Sequence, residues 1–423
     1  WELFGRHQIR GRQAHRLIHP EALLDKMYNR TARTTLQGLG RLSRSTPTSS
    51  AWAARCFSNT HHYGVPVLFR ETGNEKLDNI LSEIQEKIIL PARLPPKKRS
   101  VVFDPNKRSY LEQNPIVIEV EGLEHNFKTI DKHHGIPKTG TIFFAALDEM
   151  ETARDWRNLA TMLAGFKSAS IKLPARFHGK IARIAARKGF ANILIECANE
   201  ADKTGFYIRN KELLNHILTD ITTKVTAAGG DWEQIQKLVR SADTLLDILQ
   251  RPSHREDVHD VRDRLSYSLT ARGQILLARS ALVKAKHEAG ESIAKELDLL
   301  LEDVKAFISL WEPLLEQEVA DIPEFAELLP RTGKTSRKAP PRLAPTPYVV
   351  SLARNVKGIR AAHHTAKQHP EFKSIDEKLD SVLLPVANAI ESHVAGFISS
   401  LPKRSELAEV YKAVVGNEPK NAS

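Results

Sequence analysis

From Gly135 to Gln250 the chain carries a helical pattern that repeats: Gly135, Ser170 and Gly205 open three units, separated by 35 and 35 residues. Each unit holds two amphipathic stretches joined by a turn. Thr141–Met150 pairs with Asp155–Ala169, Pro174–Arg187 with Ala191–Asp202, and Lys211–Thr226 with Asp231–Leu249. A fixed period in this range predicts stacked helical hairpins, because no single hairpin can bury its apolar face alone. Gly189 and Gly205 stand where a helix end needs a residue that tolerates a left-handed backbone. Pro174 stands where a first turn has no use for an N–H. The predicted fold class is all-α, with a short hairpin array over 136–250 and a helical C-terminal region after it.

The segment GFKSASIKLPARFHGKIARIAARKGFANILIECANEADKTGFYIRN, residues 165–210, resembles a pentatricopeptide repeat, a tetratricopeptide-like hairpin whose turn reads Gly-hydrophobic-x-Pro. Ile171-Lys172-Leu173-Pro174 matches that turn, and Ala182, Ala185, Gly189 and Ala198 fall where the repeat wants small residues between its helices. Ser170 replaces the turn Gly, and the third unit runs long through Ala227-Ala-Gly-Gly230. The resemblance implies contact with single-stranded RNA, read one base per unit through two or three side chains. It does not fix which side chains those are.

Residues 1–64 are set apart as a targeting and processing segment. Met27 to Gly64 holds Arg30, Arg33, Arg41, Arg44 and Arg55, many Ser and Thr, and no Asp or Glu, the composition of a mitochondrial import signal. Its end resembles a two-step cleavage pattern, with Arg55 two before the first cut and an octapeptide opening on Phe57 and carrying Thr60 fourth. A single cut after Phe57 fits the same residues. Residues 1–26 open on Trp1, and Met27 is the expected start. Up to Phe57 there are 10 Lys+Arg against 3 acids, a net of +7, so the total of +11 leaves +4 for the rest. RNA contact must therefore be argued from local charge clusters and not from total charge.

Residues 65–423 are long enough for one large or two ordinary domains. No stretch reaches the roughly 18 consecutive apolar residues of a membrane span, so a matrix protein with no membrane span is expected. Of the two cysteines only Cys197 lies beyond the cleavage segment, on the apolar stripe of a predicted helix, where a thiol packs as a small hydrophobe.

Within 65–135, Asn74–Leu90 reads as an amphipathic helix with Leu77, Ile80, Leu81, Ile84, Ile88 and Ile89 on one face, stopped by Pro91, Pro95 and Pro96. A basic Pro-rich stretch follows, with Lys97, Lys98 and Arg99 at its centre and Asp104 as the lone acid between Arg93 and Arg108. Such a stretch predicts an extended arm. The run Pro115–Val120 reads as one strand with no evident sheet partner, or as a stretch laid on another protein.

Local charge is most one-sided from Trp156 to Ile195, where no acid occurs. Arg176, Lys180, Arg183 and Arg187, at spacings of four, three and four, form a stripe on one helix, with Lys188 beside it. Like charges at that spacing repel by a few tenths of a kcal/mol per pair, a cost that RNA phosphates would offset. A second acid-free block, Arg331 to Pro370, contains Lys334, Arg337 and Lys338 in a Pro-rich linker, 329–348. Thr332-Gly333-Lys334-Thr335 is no phosphate loop, because Leu328 stands where the first Gly is required and no strand precedes it.

In the region 251–328, Val258–Gly290 and Glu291–Trp311 predict a solvent-facing hairpin. In the region 349–423, Ser374–Leu401 carries an apolar stripe that could lie on a membrane surface, although Asp376, Glu377, Asp380 and Glu391 on its other face favour docking on a protein core. The histidines lack the spacing of a metal site, and no cofactor loop or nucleophile elbow occurs, so no metal, cofactor or catalytic residue is predicted. The whole plan is similar to the helical-repeat subunits of fungal mitochondrial ribosomes. That resemblance implies a non-enzymatic structural component contacting rRNA and neighbouring ribosomal proteins through its basic helices and the arms 93–108 and 331–343. The alternative is a pentatricopeptide-type RNA-processing or translation factor acting on mitochondrial mRNA. The cleavage pattern predicts that N-terminal sequencing of the protein from mitochondria yields Phe57, Ser58 or Val65 as the first residue; intact residues 1–50 in that fraction would refute the targeting reading.

Overall fold

The computed structural model describes residues 68–132, 134–255, 261–330, 342–417 and 419. Arg55, Phe57 and Thr60 of the processing pattern, and Lys334, Arg337 and Lys338 of the linker, lie outside the described residues. The fold is all-α apart from one small hairpin of strands.

All six expected helices between residues 139 and 250 are present. The stretch expected as the first hairpin folds as α5 (Thr139–Glu149), α6 (Ala153–Trp156) and α7 (Asn158–Ser168). The second is α8 (Ala175–Arg187) with α9 (Asn192–Asn199) and α10 (Ala201–Thr204), and the third is α11 (Lys211–Ala227) with α12 (Trp232–Gln250). Local chemistry sets the ends. Asn210 and Asp231 accept from the N–H groups of Leu213 and Gln234, and Thr152 and Asp155 form a capping box. Ser170 takes the left-handed conformation at φ 58°, closing α7 with bonds from Ile171 N–H to Phe166 O and from Ser170 N–H to Lys167 O. The same pair of bonds closes α8 at Gly189, so Ser170 fills a place where glycine is the usual residue.

Successive first helices touch, α5 on α8 and α8 on α11. Two lysines tie the hairpins together. Lys188, just past α8, donates to the carbonyls of Leu147, Asp148 and Met150 at the end of α5. Lys167, in the last turn of α7, donates to the carbonyls of Ala201 and Asp202 in the second hairpin. Lys188 satisfies carbonyls that the C-terminal end of α5 leaves open, while Lys167 adds a second donor to the Ala201 carbonyl, which already accepts from Gly205 N–H.

The N-terminal region departs from expectation. The helix α1 (Glu75–Ile84) passes through a π turn, Gln85–Ile89, into α2 (Leu90–Arg93), so Pro91 continues the path instead of stopping it. The basic segment is not an extended arm. It folds as α3 (Pro96–Val102), a 3-10 turn Pro105–Lys107 and α4 (Arg108–Gln113). Pro96 sits at the first position of α3, where its missing N–H does no harm. Leu90, Leu94, Val102 and Leu111 then share a small core with Ile116, Val120 and Phe127. The strand has a partner after all: β1 (Val117–Val120) pairs antiparallel with β2 (Leu123–Asn126) across Glu121-Gly122, both at positive φ, 51° and 81°. Two such residues give a tight turn matched to the twist of a two-residue hairpin.

The C-terminal region is built on α13 (Leu269–Glu288), preceded by 3-10 turns. It is not solvent-facing: Leu269 to Ser280 is buried throughout, including Arg272 and Gln274. Its closest neighbour is α16 (Pro345–Gln368), with α14 (Ala294–Trp311) alongside. A Cβ on Gly358 would lie 2.2 Å from the Gly273 carbonyl oxygen, and one on Gly273 would lie 1.9 Å from Asn355 Oδ1. Glu324, on α15 (Pro323–Leu328), caps α13 from outside, accepting from the N–H groups of Leu269 and Thr270 and the hydroxyls of Ser268 and Thr270.

The stretch Pro370–Ser399 is long and apolar enough, by length and composition, to cross a membrane. Its stripe is instead used inside the chain. Leu379, Val382 and Leu383 in a π turn, and Val386, Ile390 and Val394 of α17 (Leu384–Ser399), are buried, and α17 and α18 (Arg404–Val415) both pack on α16.

Ala185→Leu is expected to overpack the fully buried face of α8 by roughly 1–3 kcal/mol. Gly358→Ala pushes against backbone and is expected to cost at least as much, about 3 kcal/mol. Unchanged thermal melting in either variant would contradict the packing described.

Candidate nucleic-acid interface

The helix α8 divides cleanly. Ile181, Ala182, Ile184 and Ala185 face the core, while Arg176, Lys180, Arg183 and Arg187 are exposed. The stripe expected from spacing is thus present on one face. Lys180 Nζ lies 3.7 Å from the centre of the Phe144 ring, and Arg176 lies 5.4 Å from that of Phe177. Aromatic faces attract these cations and steady them without neutralising them. Among the described residues, no carboxylate is within ion-pair distance of Arg176, Lys180 or Arg187.

Arg183 differs. Its Nε lies 3.4 Å from Glu212 Oε1, which belongs to the first turn of α11. The Arg183 side chain is 48% exposed and that of Glu212 only 3%. Burial raises the Glu212 pKa above the usual carboxylate value, and the Arg183 charge opposes that shift. His216 Nε2 stands 3.9 Å from the same carboxylate oxygen. Burial, with the Arg183 charge adding to it, pushes the His216 pKa down to about 4, so the ring is neutral at physiological pH. Gly179 makes room for the carboxylate, since a Cβ there would lie 2.2 Å from Glu212 Oε2.

Lys188 leaves the stripe, its ammonium committed to the α5 carbonyls. Arg99 is likewise turned inward, donating to the carbonyls of Ala92 and Leu94. Lys97 and Lys98 are exposed on α3, part of the smaller N-terminal core and not of the α8 face. In the second acid-free block Arg354, Arg360 and Lys367 serve the fold. Arg354 donates to Thr219 O and Thr222 Oγ1, Arg360 meets Glu391 at 2.6 Å, and Lys367 meets Asp376 and Asp380.

Cys197 is fully buried, and burial holds its thiol far above the ordinary range, so it is an unreactive core group. His254, not singled out by sequence, is buried and bridges two elements, accepting from Ile208 N–H at Nδ1 and meeting Ala198 O at Nε2. Among the described residues, no three His, Cys, Asp or Glu side chains are grouped to hold a metal ion.

Residues 55–414 match the family described as Mrp13, mitochondrial ribosomal protein mS27. The chain belongs to this family. It is also similar to the small ribosomal subunit protein mS27 of Neurospora crassa, 27% identical over 284 residues that cover 64% of this chain and 70% of the relative. Membership makes the mS27-family chain a structural, non-enzymatic component of the mitochondrial ribosome. The family match runs through both the hairpins and the C-terminal helices and opens beside the expected cleavage point. The processing-factor alternative is not favoured by this kinship.

Lys188→Met removes a charged donor from helix-end carbonyls and is expected to destabilise the protein by about 1–2 kcal/mol. Arg187→Gln, one residue away but on the open face, should stay within about 0.5 kcal/mol. Equal effects of the two on urea midpoints would refute the distinction.

Proposed function

We propose that this mS27-family chain is a structural component of the small subunit of the mitochondrial ribosome, working in the matrix. The exposed face of α8 lies on the phosphate backbone of rRNA, and the helical body is a platform for neighbouring ribosomal proteins. The small-subunit assignment is drawn from the Neurospora crassa relative's name. The rRNA assignment is supported by one observation above all: Arg176, Lys180 and Arg187 share an exposed helix face with no acidic partner among the described residues. Three cations left unneutralised on one face suit a polyanion, and proximity to aromatic rings lowers the freedom that Arg176 and Lys180 lose on binding. Lys97 and Lys98 offer a second, separate contact. The segment 331–343, with Lys334, Arg337 and Lys338, is a third by its composition.

Replacing Arg176, Lys180 and Arg187 together by Gln is expected to weaken co-sedimentation with the small subunit while leaving thermal stability equal or slightly raised, because mutual repulsion is removed. In a binding titration with a single-stranded rRNA fragment, the slope of log affinity against log salt should become shallower by about 0.7 for each phosphate no longer neutralised. Parent-like binding at every salt concentration would leave α8 a solvated face only.

A further inference from the structure

The pair Arg183–Glu212 is unlike any other contact of the α8 face. A carboxylate 3% exposed reaches beneath the helix to a guanidinium whose side chain is 48% exposed. The aperture for it exists because residue 179 lacks a Cβ, one turn before Arg183 on the same face. Burying a carboxylate to meet one arginine at 3.4 Å is a poor way to gain stability, since desolvation of the acid offsets most of the attraction. A hydrophobic pair of similar volume would hold α8 on α11 as well. What the arrangement supplies instead is placement: Glu212 meets the Nε side of a guanidinium whose side chain stays 48% exposed, on the same helix face as Lys180 and Arg187.

We propose that Glu212 is a positioning residue that holds Arg183 as a preset two-donor clamp for an RNA phosphodiester, with Lys180 and Arg187 supplying the flanking charge. The proposal rests on the rRNA reading of α8 given above. A planar guanidinium matches two phosphate oxygens with two parallel N–H donors. An arginine already held by an ion pair on its Nε side surrenders less side-chain freedom on binding than one waving in solvent. The buried carboxylate is farther from the phosphate than the guanidinium is, so attraction to the cation prevails at contact distance.

The opposite expectation follows if Glu212 merely neutralises Arg183. Removing its charge would then release a cation and tighten RNA binding. The test is fluorescence anisotropy of the full chain with a mixed-sequence single-stranded RNA oligonucleotide, over a series of KCl concentrations. Glu212→Gln keeps the shape of the side chain and is expected to weaken binding about three- to tenfold with the salt slope unchanged. Arg183→Gln should weaken binding at least as much and reduce the slope by about 0.7. The double variant should lose no more than Arg183→Gln alone, the coupling expected of a residue that acts through another.

Arg183→Lys keeps the charge and guards against misfolding of the Glu212 variant; it should preserve the slope and still bind about three- to tenfold more weakly. Binding by Glu212→Gln that equals or exceeds the parent's, with the triple Gln variant of Arg176, Lys180 and Arg187 weakened, would overturn the positioning role and leave the rRNA reading standing. A parent chain that binds no RNA, or a triple variant that binds like the parent, would overturn both. Binding of a poly-glutamate peptide in place of RNA, with the same dependence on Arg183, would assign the face to an acidic protein and likewise overturn the proposal.

Discussion

The contact between α13 and α16 is made backbone to backbone, and most of the C-terminal architecture depends on it. At Gly273 and Gly358 the helices approach more closely than any side chain permits. Close approach leaves no space for a layer of large apolar residues, so the joint is filled by short polar ones. Gln274 Nε2 donates to Asn215 Oδ1 and Ser351 Oγ, and Ser351 Oγ donates to Asn215 Oδ1. Thr219 donates to Gln274 Oε1, and Asn215 Nδ2 donates to Thr270 Oγ1. A buried polar network is tolerable only when its members are satisfied, and a satisfied one specifies a single register. Because Asn215 and Thr219 belong to α11, the same network fixes the third hairpin to the C-terminal helices.

Charge inside this protein follows a related logic. Arg279 meets both Asp303 and Asp243 at 2.6 Å, and Arg272, fully buried, lies 3.6 Å from Asp303. Desolvation lowers the Arg272 pKa to about 10, while Asp303 opposes the shift, so it remains a cation. Losing one member would strand another in the interior, a larger penalty than the cluster's net gain. Arg176, Lys180 and Arg187 on the exposed face of α8 are under no such constraint, which separates surface charge open to a partner from charge engaged in the fold.

Periodicity made the six helices from 139 to 250 legible, because 3.6-residue patterning and Gly or Pro punctuation are local signals. The Pro-rich segment was not, since Pro91 and Pro96 read as breaks although both occupy first-turn positions. The partner of β1 was hidden by a Glu121-Gly122 turn that lacks the usual Asn or Asp. The acid-free windows misled in one respect. A window along the chain cannot show that Glu212 stands opposite Arg183, or that Asp376, Asp380 and Glu391 return to the cations of α16. Glu212 carries little warning of its own, for an acid in a first helical turn is ordinary dipole chemistry. The even burial of α13 was equally obscured, as Arg272, Gln274 and Arg279 look like surface residues until their partners are known.

The lysines at the hairpin ends make the stability of each hairpin depend on its neighbour. The carbonyls closing α5 wait for Lys188, and those near α10 are met by Lys167 from the hairpin before. The first hairpin taken alone therefore lacks the donor for its own end. Protection of the amides at these ends against hydrogen exchange is then a shared property of neighbours, lost from two hairpins together and not from one at a time.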